Sequence, residues 1–183
     1  MSQMKICGQT RQCEERKCRH LTYALAVERA FYDECGRKHS HQRRIRTETL
    51  EEFKRKILNL ENEVKRCSDF DSIYQLFKGI KPRGIGELTV YDVALGVSTN
   101  YGIYPKTVYL HAGTKKGAVN SGLTDKFSRK KQLSRDEISL RLPWLADIEP
   151  YLIEDFLCIY KSAVTHENFL EFIKNRRLEK KDV

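Results

Sequence analysis

Apolar residues recur at alternating steps of three and four through most of this chain, a spacing that places them on one face of an α-helix. The clearest such face is formed by Leu50, Phe53, Ile57, Leu60 and Val64. Thr49 and Glu52 have the spacing of a capping box, which predicts that this helix begins there. Shorter periodic runs predict one helix before Gly36 and another that opens at Ser68 with Asp71.

The second half of the chain predicts further helices. From Glu87 the apolar residues return to helical spacing, and Gly102 is placed to end that helix. Ser134 and Glu137 form a second capping pair at the start of a later helical block. Thr165 is the predicted N-cap of the last amphipathic helix.

Three stretches lack helical periodicity. Residues 37–46 (RKHSHQRRIR) predict an exposed basic connection, and residues 115–132 predict a long, exposed, basic loop. Residues 104–112 are ambiguous, because TVYL has strand propensity but is too short to form a sheet by itself. We therefore predict an all-α protein with a single helical domain over 21–183, preceded by a polar, cysteine-bearing segment at 1–20.

Composition narrows the class of protein. The 183 residues suffice for one well-buried core, and a formal net charge of +9 favours polyanionic partners through counterion release. The start of the chain has no apolar run typical of a signal peptide, and no stretch approaches the ~20 apolar residues of a membrane span. We therefore expect a cytoplasmic protein without a membrane partner, whose six cysteines are reduced.

Four candidate metal ligands lie near the amino terminus: Cys7, Cys13, Cys18 and His20. A structural zinc site at these residues would attach the polar segment to the rest of the protein. Their C-x5-C-x4-C-x-H spacing lacks the closely spaced cysteine pair that is usual in structural zinc sites. Free thiols are therefore expected here, with zinc as the alternative, and no cofactor is predicted.

The most informative segment is KPRGIGELTVYDVAL at 81–95. Gly84 and Gly86 permit a tight turn with positive φ and let backbone amides approach a partner without an intervening side chain. A helix is predicted immediately afterwards, so its unpaired amino-terminal N–H groups would point at an anion docked there. Lys81 and Arg83 precede the turn and could reach phosphate oxygens.

Ile85 separates the two glycines, and Thr89 follows three positions after the second. Residues 73–101 therefore resemble the helix-hairpin-helix motif of DNA-repair and recombination proteins, especially its form in the HhH-GPD DNA glycosylase superfamily. The resemblance implies that hairpin amides bind a DNA phosphate, with a monovalent cation as a possible aid. This chain departs from the family pattern in having Pro82 in place of an apolar residue and Val90 in place of a small one.

Family members that also cut the DNA strand use a lysine nucleophile two residues after the second glycine, and an aspartate further along the chain. When PKTVYLHAG is aligned with the V-D-T-H-like segment of the family, these positions are Leu88 and Leu110. Inherited glycosylase chemistry is therefore not expected, because it would require His111 or Asp92 in a different arrangement.

A second candidate contact is the stretch YLHAGTKKG. Its small residues allow close backbone approach, and the hydroxyl of Thr114 can donate a hydrogen bond. Lys115 and Lys116 supply positive charge suited to phosphate, beside His111. The alternative is an ordinary basic loop with His111 packed beneath it.

These patterns predict a non-catalytic, largely sequence-independent DNA- or nucleic-acid-binding protein built around a helix-hairpin-helix. One alternative is an enzyme that processes nucleotides or nucleic acid with His111 and the neighbouring lysines. Another is a protein-interaction adaptor that docks through the helix at 50–64. The predicted nucleic-acid-binding residues are Lys81, Arg83, Gly84, Ile85, Gly86, Thr89, His111, Thr114, Lys115 and Lys116. The basic runs at 37–46 and 129–131 would enlarge this surface if they share its face.

Overall fold

The computed structural model describes residues 21–178, which divide into two compact units with a boundary between Tyr104 and Pro105. Within that range there are nine α-helices and one two-stranded sheet, which confirms the predicted all-α class. The region predicted as a single helical domain thus contains two units, called unit 1 and unit 2 below. No helix in residues 21–178 has both the length and the apolar character needed to cross a bilayer.

Unit 1 is organised around its last long helix. Its helices are α1 (Tyr23–Phe31), α2 (Thr47–Leu58), α3 (Glu61–Arg66), α4 (Phe70–Ile80) and α5 (Glu87–Ser98), with 3₁₀ turns at Ser40–Gln42 and Thr99–Tyr101. Both α1 and α4 pack on α5, and α2 packs on α1 and α4. A Cβ atom added at Gly96 of α5 would lie 2.9 Å from Cβ of Ala30 in α1, so these helices cross closely. Most of α5 is therefore buried, and its position in the unit is fixed.

Two predicted helix starts in unit 1 are wrong. The helix α2 begins at Thr47, two residues before the proposed capping box at Thr49, and no side chain caps it. The cap of α4 is Asp69 and not Ser68, because an Asp69 carboxylate oxygen accepts the backbone N–H of Ser72 at 2.8 Å. The long predicted amphipathic helix is also interrupted between α2 and α3, although its apolar face is buried except at Leu60, which is partly buried. The αL residue Gly102 ends the 3₁₀ turn that follows α5, so the helical stretch stops at the predicted glycine, although α5 itself ends at Ser98.

Unit 2 combines a small sheet with four helices. Its elements are β1 (Val108–Tyr109), α6 (Ala112–Asn120), β2 (Gln132–Leu133), α7 (Arg135–Arg141), a 3₁₀ turn (Pro143–Leu145), α8 (Pro150–Ile159) and α9 (His166–Leu178). The strands pair antiparallel with Val108 opposite Leu133. The segment TVYL, whose sequence was ambiguous, therefore supplies the first strand of the sheet. The buried core includes Val108, Leu133, Ile138, Phe156 and Phe169.

Both predicted caps in unit 2 are confirmed. Ser134 and Glu137 form a complete capping box at the start of α7. The hydroxyl oxygen of Thr165 accepts the backbone N–H of Asn168 at 3.2 Å at the start of α9. These caps were readable from sequence because each joins groups only three residues apart.

The loop predicted over 115–132 is wrong in its first part, which belongs to α6. A Cβ atom added at Gly117 would lie 2.2 Å from the backbone oxygen of Leu157 in α8. A Cβ atom added at Gly113 would lie 2.7 Å from Sγ of Cys158, also in α8. Gly117, one of the glycines that suggested a loop, therefore allows the backbones of α6 and α8 to approach closely, and this packing stabilises the helix despite its weak intrinsic propensity.

Candidate nucleic-acid interface

The turn at 81–86 joins α4 to α5 and is held from inside unit 1. Ile85 is only 2% exposed, so the apolar residue at its centre is anchored in the core. The N–H of Ile85 donates to the carbonyl oxygen of Pro82 at 3.2 Å. Gly84 has φ of +97°, a conformation that glycine adopts without strain, and both Gly84 and Gly86 are exposed. The turn is thus fixed by an inward apolar side chain and presents bare backbone outward.

The two cationic residues of the turn have different roles. The Nζ atom of Lys81 donates to the carbonyl oxygen of Ile85 at 2.9 Å, and the side chain is half-buried. This bond closes the turn, so one donor of the ammonium group is already used in an intramolecular hydrogen bond. Arg83 is exposed and extends from the same turn. Of the two, Arg83 is better placed to contact a partner.

The amino terminus of α5 follows directly. Gly86 is its N-cap residue, and no side chain caps the helix. Apart from the adjacent residues, nothing lies within 4 Å of the position that a Cβ atom would take at Gly86, so no other element covers that side of the N-cap residue. Glu87 occupies the first turn, where its carboxylate pairs with Lys78 of α4 at 3.1 Å. A carboxylate here interacts favourably with the helix dipole and opposes the approach of a second anion.

Two other hairpin positions are less exposed than the turn itself. Thr89 is 4% exposed and belongs to the buried part of α5, so its hydroxyl is not on the outer face of the turn. Leu88, at the position of the family's lysine, is partly buried. Leu110, at the position of the family's aspartate, is 8% exposed and forms part of the core of unit 2. Both departures from the glycosylase pattern therefore place apolar side chains in protected positions.

The basic connection at 37–46 is more ordered than its composition predicted. Gln42 is fully buried, and its Nε2 atom donates to the carbonyl oxygen of Ala30 in α1 at 3.1 Å. On the other side, Nδ1 of His41 lies 3.0 Å from Oδ2 of Asp92 in α5. The prediction of an entirely exposed segment is thus wrong at Gln42, and the connection lies along the helix that follows the turn.

The connection also ends beside the turn. A Cβ atom added at Gly84 would lie 3.6 Å from Cγ2 of Thr49, which belongs to the first turn of α2. Arg46 is the N-cap residue of α2 and is exposed, as are Arg43 and Arg44 before it. The starts of α2 and α5, neither of which has a side-chain cap, are therefore neighbours. Periodicity along the chain could not reveal this proximity.

The second candidate stretch, in unit 2, is directed largely inward. Thr114 is fully buried, and its hydroxyl donates to Oε1 of Glu154 in α8 at 2.6 Å. Glu154 is itself 3% exposed. The hydroxyl that the sequence suggested for phosphate binding thus forms a buried hydrogen bond between α6 and α8. Sequence reasoning missed Glu154, because a single carboxylate inside an apolar helical pattern gives no sign of its partner.

The remaining residues of that stretch are divided between the interior and the surface. His111 is 9% exposed and stacks on Tyr109, with ring centroids 6.1 Å apart. Nζ of Lys115 donates to the carbonyl oxygen of Ser128 at 2.6 Å, so this ammonium group fastens the following loop. Lys116 is exposed. These positions agree more closely with His111 packed beneath a basic surface than with an exposed phosphate-binding loop.

The adaptor alternative depends on the apolar face of the helix at 50–64. Leu50, Phe53 and Ile57 are fully buried within unit 1. The rings of Phe53 and Phe31 pack edge to face, with centroids 5.8 Å apart. This face is thus already part of the unit's own core, and docking through it would require the core to open.

Metal ligation finds no support in residues 21–178, where no three His, Cys, Asp or Glu side chains are grouped to hold an ion. Within that range no disulfide joins Cys35, Cys67 or Cys158. The four predicted zinc ligands, Cys7, Cys13, Cys18 and His20, lie outside the described residues.

The predicted site residues fall into two groups. Unit 1 brings Lys81, Arg83, Gly84, Ile85, Gly86 and Thr89 together with the basic connection, whereas unit 2 holds His111, Thr114, Lys115 and Lys116. No protein-family model, curated protein or solved structure significantly matches this chain.

Proposed function

We propose that unit 1 binds the phosphate backbone of nucleic acid, with little dependence on base sequence, through the turn at 81–86 and the basic connection beside it. The observation that supports this most strongly is the proximity of the turn to α2, since a Cβ atom added at Gly84 would lie 3.6 Å from Cγ2 of Thr49. It brings the exposed Arg83 close to the start of α2, where the exposed Arg46 is located. Two arginines and two helix amino termini would then face the same anionic partner.

The chemistry of this surface fits phosphate better than base edges. Exposed backbone at Gly84 and Gly86 can contact a phosphate oxygen but cannot discriminate bases. Arginine forms bidentate hydrogen bonds with phosphate. The resemblance to the helix-hairpin-helix motif supports the same mode of binding, and the apolar residues at Leu88 and Leu110 favour a role without glycosylase chemistry.

The direct test is fluorescence anisotropy of the full-length protein with labelled duplexes of unrelated sequence over a range of salt concentrations. We expect similar affinities for all duplexes and a steep loss of affinity with added salt, because counterions are released on binding. Arg83→Glu should weaken binding at low salt by about ten-fold and reduce the slope of the salt dependence.

Arg66→Glu is the matched control. Arg66 is also exposed, but it ends α3 just before α4 begins, whereas the turn follows the other end of α4, about 15 Å away along that helix. The same charge change there should have a much smaller effect. Absence of binding at low salt, or equal losses in the two variants, would refute the proposal. Far-UV circular dichroism of both variants checks that unit 1 is folded.

A further inference from the structure

The segment between α6 and β2 presents an aromatic ring to solvent among cationic side chains. Phe127 is 81% exposed in the sequence DKFSRKK at 125–131, here called the basic-aromatic loop. Lys126, Arg129 and Lys131 in this loop are exposed as well. The Nζ atom of Lys126 lies 4.9 Å from the centroid of the Phe127 ring, which is a cation–π contact.

Phe127 lies in a turn that is fixed by hydrogen bonds. The N–H of Phe127 donates to Oδ1 of Asp125 at 2.8 Å, and the N–H of Ser128 donates to the carbonyl oxygen of Asp125 at 3.2 Å. Lys115 of α6 holds the carbonyl oxygen of Ser128 at 2.6 Å. These hydrogen bonds therefore hold the Phe127 ring in its exposed position, outside the core.

The other end of the loop is attached to the small sheet and to α7. Leu110 donates its N–H to the carbonyl oxygen of Lys131 at 2.8 Å. Lys130 forms an ion pair with Glu137 in the capping box of α7. Fixing both ends lowers the conformational entropy that a partner would have to remove when it binds the ring.

We propose that the basic-aromatic loop binds single-stranded nucleic acid, with Phe127 stacking on an unpaired base and the exposed cations of the loop contacting the neighbouring phosphates. An aromatic ring beside cationic groups matches a chain that alternates flat bases with phosphates. In a duplex the faces of internal bases are covered by their neighbours, so the ring would gain little there. This site lies in unit 2 and is independent of the proposed function of unit 1.

An anionic membrane surface is the competing partner for a cationic loop with an exposed apolar side chain. One phenylalanine supplies little apolar area, whereas stable attachment to a membrane needs a larger buried apolar face or an acyl chain in addition to a basic patch. The planar ring and its cationic flank therefore favour a nucleic acid. Binding to anionic vesicles distinguishes the two partners.

The test uses full-length protein and compares binding of labelled oligothymidine with binding of a blunt duplex at low salt. Phe127→Ala should weaken oligothymidine binding by about ten-fold and leave duplex binding unchanged, because only the stacking partner is removed. Phe127→Trp should retain the affinity, and its added indole fluorescence should be quenched by oligothymidine. The variants are expected to fold because the side chain is outside the core.

Leu140→Ala is the matched control, since Leu140 is 84% exposed in the same unit but lies on α7, outside this loop. It should leave both affinities unchanged. The proposal is overturned if wild-type protein does not bind oligothymidine, if Phe127→Ala binds it normally, or if Leu140→Ala loses as much affinity.

Vesicles of equimolar phosphatidylserine and phosphatidylcholine test the competing partner. Loss of vesicle binding in Phe127→Ala without loss of oligothymidine binding would assign the loop to a membrane and overturn the proposal. Arg83→Glu separates this proposal from the proposed function, because it should reduce duplex binding and leave the stacking contribution of Phe127 intact.

Discussion

Residues 81–86 (KPRGIG) and residues 111–117 (HAGTKKG) each combine two glycines with two cationic side chains. In the first segment the glycines are exposed, and the space around Gly86 is open. In the second, Gly113 and Gly117 have no room for a Cβ atom, because α6 packs directly against α8. Similar composition thus produces an exposed turn in unit 1 and a close helix contact in unit 2.

The difference shows that a glycine's role depends on what lies opposite it. A turn needs positive φ, which Gly84 has, whereas a helix crossing needs only the absence of a side chain. Polar groups follow the same division, since Thr114 bonds to buried Glu154 while Arg83 is exposed. Changes at 111–117 should therefore affect mainly stability, and changes at 81–86 mainly binding.

The largest effect is expected for Gly117→Ala. Its Cβ atom would meet the backbone of Leu157 in α8, which cannot move aside as a flexible side chain would. The free energy of unfolding of unit 2 should fall by about 3 kcal/mol, measured by urea denaturation. Gly86→Ala is the control and should cost less than about 1 kcal/mol. Equal losses would contradict the division between the two segments.

A smaller loss of stability is expected for Thr114→Val. The variant keeps the shape of the side chain but removes the hydroxyl that donates to the buried carboxylate of Glu154. Unfolding should become about 2 kcal/mol easier, because a buried acceptor loses this donor. Thr114→Ser retains the hydroxyl and should cost less than Thr114→Val. If valine and serine are equally tolerated, the buried hydrogen bond contributes little to stability.

Glu137 provides a pH-dependent test in unit 2. Hydrogen bonds from Lys130 and from the Ser134 backbone lower the pKa of Glu137 from 4.5 to about 2. Because the folded state favours the carboxylate, its contribution to stability is present above pH 4.5 and is lost as the pH falls toward 2. The pair is partly exposed, so solvent screening limits this contribution to less than about 1 kcal/mol.

Glu137→Gln removes the charge while allowing the capping hydrogen bonds to remain. Wild type should be the more stable protein at neutral pH, and urea denaturation at a series of pH values should show this advantage disappearing between pH 4.5 and 2. A difference that stays constant across this range would exclude the ion pair with Lys130 as its source.

The smallest effect is expected at the turn of unit 1. Glu87→Gln removes a negative charge from the start of α5 and should strengthen duplex binding by about three-fold at low salt. Its exposed pair with Lys78 contributes little, so the free energy of unfolding should change by less than about 0.5 kcal/mol. Glu63→Gln on α3 makes the same charge change away from the turn. An equal gain there would mean that only net charge matters.

The sequence by itself determined features that depend on neighbouring residues. The helical class, the capping box of Ser134 and Glu137 and the αL residue Gly102 were all predictable. Each follows from a periodic pattern or from groups within a few positions of one another. The turn at 81–86 between two helices was predictable for the same reason.

Only the tertiary structure decided how distant groups are paired. Thr114 and Glu154 are 40 positions apart, and the glycines of α6 could be understood only once α8 lay against them. The approach of Thr49 to Gly84, on which the proposed binding surface depends, also joins separate helices. Local sequence sets backbone preferences worth only a fraction of a kcal/mol per residue, so packing between distant elements decides where those preferences are weak or opposed.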